Sequence, residues 1–224
     1  MKSCTLIIAG ASVLVFGMVL RAEINVIDRN APEVAEAAAP QKIEKAFEAE
    51  GGKYQFTIDT SAAPDLTEWA EKELAPVVQA WYPKLVQMLP SEGYEAPQRV
   101  AILFKDGMGG TPASASGSRI NCNIGWFRKS LKGEAKGAVV HEMAHVVQQY
   151  GLARRNNPNA TRTPGWLTEG IPDYIRWFLY EPETKGAEIT QRNISRAKYD
   201  ANYRITGNFL NWVTEKYDKD IARK

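Results

Sequence analysis

The chain predicts a domain of class α+β, a small mixed sheet followed by a mainly helical C-terminal part, and three observations carry that expectation. Tyr54–Asp59 alternates apolar and polar residues, and Arg99–Lys105 is apolar on both faces, so both read as strands. Residues 138–151 are apolar nearly all round, as a buried central helix requires, and carry His141-Glu142-Met143-Ala144-His145. Residues 166–180 read as a further helix, and residues 202–217 as the last one, with Tyr203, Phe209, Leu210, Trp212 and Val213 as its bulky members.

With 224 residues, 44% hydrophobic content and a mean hydropathy of −0.35, the chain can bury one good-sized core. A net charge of +2, with no long basic run and no repeat, argues for neither a nucleic-acid nor an anionic-membrane partner. Lys2 precedes an apolar run over residues 5–20, short for a full membrane span, so residues 1–22 read as a signal peptide or a short membrane anchor. Either one exports the remainder. Cys4 lies in that leader, which leaves Cys122 alone and predicts a buried thiol rather than a disulfide. Residues 23–50, rich in Ala, Glu and Pro, read as a flexible linker with a short helix over 42–50 that Gly51-Gly52 ends. The folded domain is then expected over 51–224.

Past the first strand, Pro64-Asp65 opens a helical pattern that runs to Leu89, and Pro76 and Pro83 inside it predict a kink or a split. Residues 107–117, rich in Gly and Ser, read as a surface loop. Residues 118–127 read as a third strand, placed to be a sheet edge that an extended peptide could join. The central helix is expected over 131–150, and a polar loop follows at 152–163. Asn159 and Asn193 begin sequons that matter only in a host that glycosylates exported proteins.

The chemistry lies in the central helix. His141 and His145, the only histidines in the chain, are four apart and share one helix face, so they can bind one metal ion. Glu142 stands between them, placed to act on a metal-bound water. Chance puts two histidines and a glutamate in this pattern in roughly one chain of this composition in a thousand. A catalytic zinc takes three protein ligands and keeps one open position. A third histidine is excluded, because Gly151 stands six after His145. An acidic ligand from the next helix remains, and Glu169 lies in Trp166-Leu167-Thr168-Glu169-Gly170-Ile171-Pro172-Asp173-Tyr174. Asp173, four further on, faces the same way and could accept the spare N–H of a liganding histidine.

These two segments, with residues 203–212, resemble the gluzincin metallopeptidases, and more closely the basic secretory protein peptidases of plants and bacteria, over roughly residues 52–217. The resemblance implies a zincin-like α+β domain, one Zn²⁺ per chain, and zinc-dependent hydrolysis of peptide or protein substrates. It implies His141, His145 and Glu169 as ligands, Glu142 as general base and Asp173 as the acceptor behind a ligand. Pro172 stands where the family usually has a small residue, and relatives continue past the position of Lys224. Tyr203 is the expected donor to the oxyanion, with Tyr150, Tyr174, Tyr199, Arg176 and Arg192 as alternatives. The rival reading is an exported, non-catalytic module that binds cell-wall or peptide ligands, and the intact Glu142 argues against it. A zinc amidase acting on cell-wall peptides would keep the chemistry and change only the substrate. Nothing in the sequence sets an oligomeric state.

Overall fold

A computed structural model of the chain describes residues 41–221, without the side chains of Ala153, Arg154 and Asn156. The leader and residues 23–40 lie outside it. Among the described residues no helix is long and apolar enough to cross a membrane.

The first element corrects the sequence reading. Residues 44–49, expected as the end of a linker and a short helix, form strand β1 (Glu44–Ala49), antiparallel to β2 (Tyr54–Asp59). Glu50, Gly51 and Gly52 all have positive φ (49°, 63° and 91°), so Gly51-Gly52 makes a hairpin turn rather than a helix stop. Across the ladder Phe47 stacks on Phe56 with ring centroids 5.4 Å apart.

After β2 the chain passes through a 3₁₀ turn (Pro64–Leu66), one α turn (α1, Thr67–Trp69) and a π turn (Ala70–Leu74) into α2 (Ala75–Met88). The expected split is thus a wide turn just ahead of Pro76. Proline has no N–H to give the preceding turn, and a π turn accommodates the lost bond. Strand β3 (Arg99–Lys105) has the predicted bounds and pairs parallel with β2.

The next stretch departs from expectation twice. The Gly/Ser-rich segment contains a strand, β4 (Ala113–Ser116), and the third predicted strand ends early, as β5 (Arg119–Asn123). Asn123 stops it by capping α3 (Ile124–Ser130), its side chain accepting from the Trp126 N–H at 3.3 Å. Asn123 Nδ2 also donates to the carbonyls of Gly109 and Thr111, both at 3.0 Å, which pins the loop leading into β4. The sheet order is β1-β2-β3-β5-β4, parallel at β2/β3 and β3/β5 and antiparallel at both ends. β5 is therefore internal, and the edge falls to β4.

Helix α4 (Ala135–Gln148) packs against α2, β4 and β5. Val139, Val140, Met143, Val146 and Val147 are at most 1% exposed. Burial at roughly 1.5–3 kcal/mol per large side chain fixes the helix, and with it the direction of its polar stripe. Helix α5 (Gly151–Asn156) lies in the expected polar loop. Helix α6 (Gly165–Tyr174) holds Pro172 in its interior and runs into a second π turn (Ile175–Tyr180). Helix α7 (Tyr203–Lys216) is capped by Asn202 and lies on α6 at very close range. A methyl group at Gly207 would stand 2.9 Å from the Tyr174 nitrogen and 3.0 Å from the Asp173 carbonyl carbon. Only glycine fits there. Cys122 is free and buried, as expected.

Candidate metal centre

Past Lys136 in its first turn, which pairs with Glu73, the polar residues of α4 are His141, Glu142, His145 and Gln148 on an otherwise apolar helix. Helix α6 faces it with Glu169 and Asp173. His141 Nδ1–H donates to Asp173 Oδ1 at 2.8 Å, and Asp173 is 5% exposed. His145 Nδ1–H donates to Gln148 Oε1 at 3.0 Å. Gln148 is an acceptor that the sequence reading missed, although its position three residues after His145 on the same helix was a legible signal. With both Nδ1 atoms committed as donors, both Nε2 lone pairs turn to the same point, the tautomer a metal needs.

Three atoms converge there. His141 Nε2 and His145 Nε2 are 3.2 Å apart, and Glu169 Oε2 is 3.4 Å from the first and 3.2 Å from the second. Ligand atoms about 2.0–2.1 Å from a tetrahedral ion lie roughly 3.3–3.4 Å from one another, so this triangle has the size of one tetrahedral face. The donor set of two imidazoles and one carboxylate could hold a metal ion. Three acceptors this close need a cation between them, either a metal or a proton.

The electrostatics agree. Burial alone would lower the proton affinity of His141, but hydrogen bonds to Asp173 and Glu169 overcome it and raise the pKa to about 9. Hydrogen bonds from His141 and His145 hold Glu169 at about 2. A raised histidine pKa stabilises the fold fully below its ordinary 6.5 and loses that contribution as pH rises through about 9. A depressed glutamate pKa stabilises fully above its ordinary 4.5 and loses that as pH falls through about 2. Chelated protein should therefore have its highest thermal midpoint between about pH 4.5 and 6.5, declining towards pH 9. Added metal should remove the alkaline decline and bind more tightly as pH rises. A midpoint of chelated protein that stays flat from pH 6.5 to 9 would refute the coupling.

Glu142 stands outside the triangle, on the wall of a cleft of about 750 Å³ that β4, α4, α6 and the start of α7 enclose. Burial pushes its pKa up, with His141 and His145 opposing and Glu169 adding to the rise. The backbone amide of Ala115 on β4 favours the ionised carboxylate, the smallest of these influences.

Of the candidate oxyanion donors, Tyr203 lines this cleft and is 52% exposed. Arg176 lines it too, but its guanidinium is engaged by Glu181 at 2.6 Å and Glu134 at 2.9 Å. Tyr174 is buried beside Phe178, and Tyr199 packs between Trp166 and Phe209. Tyr150 lines an adjoining cavity, whereas Arg192 lines neither.

The fold and site thus define an α+β protein with a two-histidine, one-carboxylate cluster at the base of an open cleft. Residues 41–224 match the BSP family, described as peptidase of plants and bacteria, and the chain belongs to it. This is the family that the sequence resembled, and it makes the chain a member of a peptidase family. No curated protein and no solved structure matches the chain.

Proposed function

We propose that the protein is an exported, zincin-like metallopeptidase that hydrolyses peptide bonds with one zinc ion held by His141, His145 and Glu169. The observation that carries this is the triangle of ligand atoms with 3.2–3.4 Å edges, both histidines braced from behind and Glu142 beside it. When bound, zinc supplies Lewis acidity, which brings the pKa of water to about 7 and polarises a carbonyl.

The chain's own residues do the rest. Glu142, whose proton affinity burial in the cleft raises, accepts a proton from the attacking water as the carboxylate and delivers it to the leaving amine. Asp173 and Gln148 keep the two imidazoles oriented and in one tautomer. β4, the sheet edge on the cleft wall, offers main-chain groups to an extended substrate, a role expected from the sequence for residues 118–127. Tyr203, half exposed on the opposite wall, donates its hydroxyl to the oxyanion.

Elemental analysis with an assay on denatured protein substrate tests the whole reading. Metal-loaded protein that cleaves no polypeptide would leave the binding-module alternative. Tyr203→Phe tests the donor. One such donor is worth roughly 2.7–4 kcal/mol, so kcat should fall by about 10²–10³ with KM little changed. Because the ring is half exposed, the thermal midpoint should hold. A stable variant with wild-type kcat would remove Tyr203 from the mechanism.

A further inference from the structure

We infer that a second cavity, on the Gln148 side of the cluster, is a subsite that receives a carboxylate of the substrate, bound by Arg162. The inference rests on the peptidase reading above. This cavity, of about 480 Å³, shares His145, Thr168 and Glu169 with the main cleft, so a peptide at the cluster places a neighbouring residue in it. Its volume lies within the range of small-ligand pockets, about 300–1,000 Å³, and admits a side chain with room to spare.

The chemistry of the walls selects the ligand. Three arginines line the two cavities, and two of them are already paired. Arg176 is held by Glu181 and Glu134, and Arg204 lies 3.6 Å from Glu134 and donates to the Gly186 carbonyl at 2.9 Å. Arg162 has no carboxylate partner among the described residues, and it is the one charged group of this cavity outside the ligand cluster. The cavity's only carboxylate, Glu169, is turned to the two histidines.

The remaining polar wall is rich in donors. Gln148 is 6% exposed; its Oε1 is taken by His145, and its Nε2 closes no hydrogen bond of good geometry, with the Tyr150 hydroxyl of the same cavity as its neighbour. A guanidinium without a counter-ion, in one cavity with an amide N–H and a tyrosine hydroxyl, matches a carboxylate, which a guanidinium can grip with two parallel bonds. That carboxylate comes either from an Asp or Glu side chain or from the peptide C-terminus.

Two peptide sets separate these sources. One has both ends blocked and carries Glu, Gln or Lys at each position around the cleaved bond in turn, and the other is identical with a free C-terminus. Cleavage is measured with zinc-loaded wild type, and binding by fluorescence anisotropy with zinc-loaded Glu142→Gln. The expected result is roughly fivefold preference for Glu over Lys at one position in the blocked set, in both kcat/KM and affinity. For a C-terminal carboxylate, the preference is for free over blocked ends, with cleavage near that end. Arg162→Gln should level the preference, and Arg162→Glu should reverse it towards Lys. Arg162 is exposed, so both variants should fold. Wild type with no carboxylate preference in either set, or the same preference in Arg162→Glu, would overturn the inference. Peptides bound with the stated preference but never cleaved would uphold it and defeat the peptidase reading instead.

Discussion

Glu142→Gln should retain zinc and fold while losing peptide hydrolysis by about 10²–10⁴-fold, the usual contribution of a positioned general base. The carboxylate lies outside the triangle, so the substitution removes no ligand atom. Glutamine conserves the shape of the side chain and still presents an oxygen to the cleft. Removing a buried charge also ends a desolvation cost, so the thermal midpoint should not fall. The same burial sets a pH signature. Because Glu142 is pushed above its ordinary 4.5, the acid limb of wild-type kcat/KM should lie above that value and vanish with residual activity in the variant. Full turnover by a stoichiometrically metallated Glu142→Gln would end the assignment.

His145→Ala should abolish metal binding and, with it, activity. His145 Nε2 is the corner that lies 3.2 Å from both other ligand atoms, and its loss leaves two ligands where zinc requires three. The damage extends behind it, since Gln148 Oε1 would lose its donor inside the core. A ligand that binds only the native state stabilises it by about 2.7 kcal/mol at a hundred times its dissociation constant. Wild type should therefore melt higher as zinc is added, and the variant should show no response. One zinc per chain in purified His145→Ala would mean that the ligand set is wrong.

The site was more legible in the sequence than the fold around it. A helix sets side-chain direction by spacing alone, so the facing of His141, His145 and Gln148 follows from residue numbers. Glu169 and Asp173 needed a second helix to arrive opposite, which pattern suggests and only packing decides. The misread segments were those where tertiary pairing overrides local preference. Residues 44–49 carry Glu, Lys and Ala, good helix formers, and become a strand because β2 offers a ladder and Phe47 a partner in Phe56. Residues 113–116 have the composition of a loop and become an edge strand because Asn123 ties the preceding loop to the end of β5. The role of Asn123 as a cap was visible in its residue type, but the alternation of its neighbours masked it.

The close approach at Gly207 bears on more than packing. Its missing side chain leaves room for the main chain of Asp173 and Tyr174, and Asp173 is the residue that aims His141. A larger residue at 207 would push on that main chain and tilt the imidazole away from the point where the three candidate ligand atoms converge. Under the proposed function, position 207 therefore belongs to the inheritance of metal affinity, although it lies on a helix with no proposed ligand and 38 positions after Glu169 in the chain. A lineage could detune the cluster there without altering a single one of its three residues.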